Sequence, residues 1–92
     1  DGILRLSVPV LLQEELLIRN YVLRYCIAQL LQERGLKDYS QVHIRVLEEL
    51  LHKPSGKQLD LPGWVLARRR GKVLELMQKP AEQRVTRREN KN

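Results

Sequence analysis

The residues of this chain best suited to bind another molecule form one basic run, Arg68-Arg69-Arg70-Gly71-Lys72. Alternate side chains of a β-strand point to opposite faces, so Arg68 and Arg70 would share one face and Arg69 would lie on the other. Arginine can bridge two phosphate oxygens through parallel hydrogen bonds, and the tip of a hairpin presents its charge well to a polyanion. Charged residues also keep strand edges from pairing with other molecules. Composition alone leaves both interpretations open.

Patterns of residues that carry catalysis or hold a metal are absent from the sequence. His43 and His52 are nine positions apart, which puts them on opposite faces of a helix at about 100° per residue. The pairs Glu14-Glu15 and Glu48-Glu49 are helix neighbours that point apart and make no carboxylate dyad. Ser55-Gly56-Lys57 lacks the other residues of a phosphate-binding loop. We therefore expect no catalytic, cofactor-binding or metal-binding residue in this chain.

The net charge of +6 is distributed unevenly along the 92 residues. Residues 1–52 hold six Lys/Arg and seven Asp/Glu, whereas residues 53–92 hold eleven and four. This asymmetry favours a polyanionic partner, because neutralised phosphates release counterions and so supply affinity. No apolar run is long enough to cross a bilayer, and no secretory signal is visible, so a cytoplasmic setting is expected. Cys26 is interpreted as a buried thiol.

Hydrophobic periodicity predicts the elements that must position the basic run. Residues 3–7 alternate as a short strand, and Ser7 and Pro9 suit the start of a helix. A helix over about residues 9–34, continuous or bent, would end at Gly35, and its apolar surface is too wide for one buried stripe. A second helix over about residues 40–52 is capped by Ser40, with an apolar stripe that begins at Val42.

After residue 52 the period changes from that of a helix to that of a strand. Antiparallel strands are expected over about residues 57–61, 64–70 and 72–77, with turns at Pro62-Gly63 and Arg70-Gly71. The fold class is therefore α+β, in a single small domain that spans residues 1–77. Residues 78–92 are predicted to be a disordered basic tail, since they hold too few apolar residues to offset the cost of ordering. Trp64 is interpreted as core filler or a lid over the core rather than a base-stacking platform.

A set of spaced residues extends over about residues 2–77 of the chain. Its members are Gly2-Ile3-Leu4-Arg5-Leu6, Arg19-Asn20-Tyr21-Val22-Leu23-Arg24, His43-Ile44, Leu50-Leu51, Ser55-Gly56-Lys57, Leu59, Leu61-Pro62-Gly63, Arg68-Arg69 and Leu74-Glu75-Leu76. This set resembles the segment that follows the catalytic domain in bacterial tRNA(Ile)-lysidine synthetases. The chain departs from that family at two positions, where Trp64 replaces a common second Gly and Arg70 replaces a common aromatic residue.

The resemblance implies an activity for the parent enzyme rather than for this chain. The family belongs to the N-type ATP pyrophosphatases and uses ATP, with magnesium, to adenylate a cytidine in the anticodon of tRNA(Ile); lysine then displaces AMP. That chemistry belongs to an N-terminal catalytic domain with a phosphate loop that this sequence lacks. This chain would be a non-catalytic part of the ligase that binds and positions tRNA(Ile), with basic side chains setting the register on the phosphates.

The candidate RNA-binding residues are Lys57, Arg68, Arg69, Arg70, Lys72, Arg19 and Arg24. The expected partners are tRNA(Ile) and the catalytic domain of the same polypeptide, with a homodimer as a further possibility and no membrane. The alternative is a structural or interaction module whose broad apolar helix packs on the catalytic domain or on a second copy, while the basic residues serve solubility.

Overall fold

A computed structural model of the chain describes residues 2–32 and 35–84. Within these ranges the structure has three α-helices and four strands in an α+β arrangement, which confirms the predicted fold class. The helices are α1 (Val8–Leu12), α2 (Leu16–Leu31) and α3 (Gln41–Leu50), and the strands are β1 (Leu4–Ser7), β2 (Gln58–Leu61), β3 (Val65–Arg70) and β4 (Val73–Gln78).

The strands form one antiparallel sheet in the order β1-β4-β3-β2. The N-terminal strand therefore pairs with the last one, and Leu6 lies opposite Leu74. Antiparallel sheets commonly pack one face on a core and leave the other to solvent. Here α2 and α3 contact β4 and β2 on one face, and the strand side chains that point to them belong to the apolar core: Leu4, Leu6, Leu59, Leu61, Val65, Ala67, Leu74 and Leu76.

The predicted first helix is divided in two. The Ser7 hydroxyl accepts a hydrogen bond from the Val10 amide at 3.3 Å, as its predicted capping role requires, and Pro9 lies in the first turn. The chain then leaves the helix after Leu12 and re-enters it at Leu16, because Glu15 takes an extended conformation. α2 ends at Leu31 rather than near residue 34, since Gln32 already has a left-handed φ of 54°, and residues 33–34 lie outside the described part of the chain.

α3 packs its apolar side on the sheet, with Ile44 and Leu47 fully buried. Val42, the first residue of the predicted apolar stripe, is exposed, whereas Ile44, which the predicted stripe did not include, is buried. The helix begins after Ser40, whose backbone amide donates to Nδ1 of His43 at 2.9 Å, so this histidine serves as part of a capping box. It ends at Leu50, two residues before the predicted end.

The connection Pro62-Gly63-Trp64 links β2 to β3 and also contacts Tyr39 and Leu31, which lie outside the sheet. Tyr39 donates its hydroxyl to the Pro62 carbonyl at 2.8 Å, and burial raises the pKa of Tyr39 to about 12. Gly63 has a φ of 78°, and a Cβ atom there would lie 2.6 Å from a Leu31 methyl group. Trp64 also has a positive φ, 64°, at the position where the family often has a second Gly. These residues therefore serve packing and chain reversal.

The turn between β3 and β4 is shifted by one residue from its predicted place. Arg70 pairs with Val73, so the two turn residues are Gly71 and Lys72 rather than Arg70 and Gly71. A positive φ at Gly71, 60°, suits the first central position of a two-residue hairpin turn, where glycine is favoured. The Lys72 carbonyl accepts a hydrogen bond from the Val8 amide at 2.9 Å, which ties this turn to the start of α1.

Substitution Gly63→Ala should lower the free energy of unfolding by about 2–3 kcal/mol, because it adds a left-handed conformational cost to a steric conflict with Leu31. Gly35→Ala is the matched control, since Gly35 has a φ of 64° and open space around the added Cβ. That control should lose only about 1–2 kcal/mol. Urea denaturation measures both; equal losses would mean that Gly63 is not closely packed on Leu31.

Candidate nucleic-acid interface

The sheet face that the helices leave uncovered carries two arginines of the predicted basic run, Arg68 and Arg70, together with Arg5. Strand register assigns the following residues to this surface, which we call the open face: Arg5, Ser7, Gln58, Asp60, Leu66, Arg68, Arg70, Val73, Glu75 and Met77. Arg68 and Arg70 are on it together, as the alternation predicts, while Arg69 points to the helix side. The structure thus separates a run of three arginines into two environments.

Glu75 lies at the centre of the open face beneath three arginines. Its Oε1 accepts hydrogen bonds from Nε and Nη2 of Arg68 at 3.2 and 2.9 Å. Nε of Arg5 lies 3.4 Å from Oε2, and Nη1 of Arg70 lies 3.9 Å from Oε1. Three guanidinium groups around one carboxylate leave a local excess of positive charge, which is the electrostatic requirement of a phosphate site.

The arginines also hold Glu75 in its charged form. The hydrogen bond from Arg68 lowers the pKa of the Glu75 carboxyl most strongly. Burial opposes this effect, and the charges of Arg70, Arg68 and Arg5 add to it. Because the side chain is only 8% exposed, an uncompensated carboxylate there would be costly. The open face is therefore a fixed charge cluster at neutral pH.

Arg69 binds the protein's own backbone. One nitrogen, Nη1, donates to the carbonyl oxygens of Leu51 and Lys53, both at 2.8 Å, and Nη2 donates to that of Gly71 at 2.8 Å. Its Nε is buried without a hydrogen-bond partner. The guanidinium thus satisfies carbonyls that follow the C-terminal end of α3 and fastens them to the β3–β4 turn.

Ser55-Gly56-Lys57 runs beside the end of β3 and continues the pairing of β2. The Gly56 amide donates to the Arg69 carbonyl and the Arg69 amide to the Lys57 carbonyl, both at 2.9 Å. The Ser55 hydroxyl accepts from the Gly71 amide at 2.8 Å. The backbone of this segment serves the fold, while the Lys57 side chain is exposed, as is that of Lys72 at the turn.

The two candidates on α2 lie on the helical side of the molecule and are engaged with other residues. Arg19 is 15% exposed; its Nη2 and Nε contact Glu48 Oε2 at 2.9 and 3.1 Å, and its Nη1 donates to the Glu14 carbonyl at 2.7 Å. It thereby ties the α1–α2 joint to α3. Arg24 donates to the side-chain carbonyl of Gln41. The fold brings Arg68 and Arg70 together but places Arg19 and Arg24 elsewhere.

Arg5 and Glu75 belong to the cluster, although sequence reasoning did not select either as a site residue. Arg5 is more than sixty positions away from the basic run and reaches it only because β1 pairs with β4, where Arg5 lies opposite Glu75. The alternation of residues 3–7 already put Arg5 on the polar side of its strand. The alternation does not indicate which strand lies beside β1, so it could not place Arg5 next to Glu75.

In the described ranges 2–32 and 35–84, no group of three or more His, Cys, Asp or Glu side chains is placed to hold a metal ion. No helix in these ranges combines the length and apolar character that crossing a bilayer requires. Cys26 is buried, and burial raises the pKa of its thiol, which disfavours the reactive thiolate.

The fold and this surface define a small α+β domain with a basic sheet face suited to binding a polyanion. The family model described as the TilS substrate binding domain matches residues 6–74, three quarters of the chain. The chain therefore belongs to the TilS substrate binding domain family, the accessory domain of tRNA(Ile)-lysidine synthetase. None of the curated proteins and none of the solved structures matches it. A domain of this family has a role in the tRNA-binding part of the synthetase, which is a ligase.

Arg69→Ala should lower the free energy of unfolding by about 2–3 kcal/mol, because three carbonyl groups lose a charged donor. Arg70→Ala is the matched control from the adjacent position; its side chain is 64% exposed, so a change within about 0.5 kcal/mol is expected. Urea denaturation of both variants gives the comparison. If the two losses were equal, the backbone contacts of Arg69 would not be stabilising the α3–hairpin junction.

Proposed function

We propose that this domain binds tRNA(Ile) through the open face and positions the anticodon cytidine for ligation to lysine in the catalytic domain of the same polypeptide. The observation that carries the proposal is the convergence of Arg5, Arg68 and Arg70 on a sheet face that the helices leave uncovered. Phosphate contacts fix register and orientation without reading sequence. The chemical step, with its ATP and magnesium, belongs to the catalytic domain, and the setting is cytoplasmic.

Among the seven candidate residues, the proposal assigns phosphate contacts to those whose side chains extend from the open face or its rim. These are Arg68, Arg70, Lys57 and Lys72, with Arg5 added from β1. Arg69, Arg19 and Arg24 act indirectly in this proposal, because their side chains donate to groups within the domain.

A disordered basic tail remains a prediction for residues 78–92. Within this segment Gln78 ends β4 and a 3₁₀ turn spans Ala81–Gln83. Residues 85–92 lie outside the described part of the chain.

The test neutralises charge at the rim of the open face in the full-length synthetase. Arg70→Gln combined with Lys72→Gln should weaken tRNA binding and reduce the slope of log affinity against log salt by about 0.7–0.9 for each phosphate that is no longer neutralised. The control is Lys37→Gln with Arg45→Gln, which removes the same charge from exposed positions on the helical side. Equal effects of the two double variants would mean that only total charge matters, and no effect of either would contradict phosphate binding by this face.

A second surface supports the interaction role, in addition to RNA binding. The outer side of α1 and α2 exposes a group of large apolar side chains: Val10, Leu12, Leu16, Leu17, Ile18, Tyr21 and Tyr25. Leu17 and Tyr21 are 77% and 68% exposed. Contiguous apolar surface beyond a few hundred Å² typically marks an interaction site on a soluble protein. We propose that the catalytic domain covers this surface, since the family supplies substrate binding to an enzyme whose chemistry lies in another domain.

Leu17→Ser with Tyr21→Ser should leave the stability of this domain within about 1 kcal/mol of the parent, because both side chains are exposed. In the full-length synthetase the same change should increase hydrogen exchange across the domain boundary. Light scattering of the isolated chain, which measures its oligomeric state, tests the alternative occupant of this surface. A dimer that the two substitutions dissociate would mean that a second copy, rather than the catalytic domain, covers this surface.

A further inference from the structure

The three arginines of the open face are held to different degrees by Glu75. Arg68 is fixed by two hydrogen bonds to Oε1 and is 33% exposed on its side chain. Arg5 approaches Oε2 through Nε and is 51% exposed. Arg70, at 3.9 Å and 64% exposed, is beyond hydrogen-bond distance from the carboxylate and reaches furthest into solvent. One buried carboxylate thus organises a graded set of cations.

The pairing with Glu75 leaves donors of Arg68 available. Glu75 uses the edge formed by Nε and Nη2, so the hydrogens on Nη1 lie outside this pairing. A guanidinium held along one edge keeps its plane fixed and can present its remaining donors in a fixed orientation. An arginine that is already ordered loses less side-chain freedom when a ligand binds.

A carboxylate in the middle of a surface that binds phosphates also has a cost, because it repels the ligand. Simple charge compensation would not require it to be buried among the guanidinium groups; Asp60, on the same face, pairs with Lys79 at 3.0 Å while remaining 70% exposed. Glu75 instead lies under the arginines at 8% exposure, with all three within 4 Å of its oxygens. The buried position of Glu75 therefore indicates that the carboxylate orients the arginines, rather than only reducing the net charge of the face.

We propose that Glu75 is a positioning residue and that Arg5, Arg68 and Arg70 form one site for a single phosphate group of the RNA. This proposal rests on the proposed function and adds to it the number of phosphates and the residue that sets the geometry. The three guanidinium groups converge on one carboxylate, and each has a nitrogen within 4 Å of its oxygens. They therefore suit one phosphodiester group, while Lys57 and Lys72 lie outside this cluster.

Glu75→Gln and Glu75→Leu in the full-length synthetase separate positioning from charge. Both remove one negative charge, but Gln keeps an oxygen that accepts from Arg68 and Leu does not. Positioning predicts that the Leu variant binds tRNA at least about five-fold more weakly than the Gln variant, because Arg68 is no longer ordered before binding. Equal affinities of the two variants would overturn the positioning role. Thermal unfolding of both variants verifies that the comparison is between folded proteins.

A pair of charge-conserving variants gives a second, independent measurement. Arg68→Gln with Glu75→Gln leaves the net charge unchanged and should weaken tRNA binding by about five-fold or more. Arg45→Gln with Glu49→Gln is the control, because it conserves charge in the same way at two exposed positions of α3, away from the open face; this variant should bind within about two-fold of the parent. The proposal is wrong if the two double variants have the same affinity.

The salt dependence tests whether the site holds one phosphate. The measured quantity is the change that Arg70→Gln causes in the slope of log affinity against log salt. If Arg68 and Arg70 share a phosphate, this change should be smaller in the Arg68→Gln, Glu75→Gln background than in the parent protein. Equal changes would assign the two arginines to separate phosphates and overturn the single site. Normal binding by these variants, together with weaker binding by the Arg70, Lys72 variant, would remove this inference while leaving the proposed function intact.

Discussion

The covering of only one sheet face by helices governs the rest of this structure. In a strand, neighbouring side chains cannot share a face, so each residue of β3 and β4 must either enter the core or join the open face. Val65 and Ala67 enter the core, whereas Arg68 and Arg70 go outwards. Arg69 is the exception, because it is a charged residue directed to the helix side. Its Nη1 donates to the carbonyl groups of Leu51 and Lys53 after α3, and its Nη2 donates to that of Gly71 in the β3–β4 turn, so the side chain fastens α3 to the hairpin.

Several residues that carry the family resemblance are explained by this architecture without any contact to RNA. Gly63 reverses the chain and packs on Leu31, while Pro62 offers its carbonyl to Tyr39. Gly56 donates its amide to Arg69 at the end of β3, and the Ser55 hydroxyl accepts from the Gly71 amide in the turn. A motif that identifies a family can therefore consist mainly of residues that build the scaffold. The side chains proposed to contact phosphate alternate with these scaffold residues along the sequence, and Arg68 and Arg70 lie on the open face of β3.

The open face combines rigidity with surplus charge. Arginines in solvent are mobile and gain little from a single surface ion pair. When several arginines share a buried carboxylate, the fold sets their geometry before a ligand binds. The single negative charge of the carboxylate reduces the local positive potential only slightly. Arg5 contributes to this cluster from the far end of the sequence, because the pairing of β1 with β4 places it opposite Glu75.

The sequence determined the class of fold, the approximate extent of each strand and the separation of Arg69 from Arg68 and Arg70, because these follow from local periodicity and turn residues. It also carried the family resemblance. Long-range packing, in contrast, places β1 beside β4, buries Glu75 under three arginines and lets Arg19 join α2 to α3. Those features depend on which distant segments become neighbours, and strand alternation gives the face of a residue without naming the strand beside it.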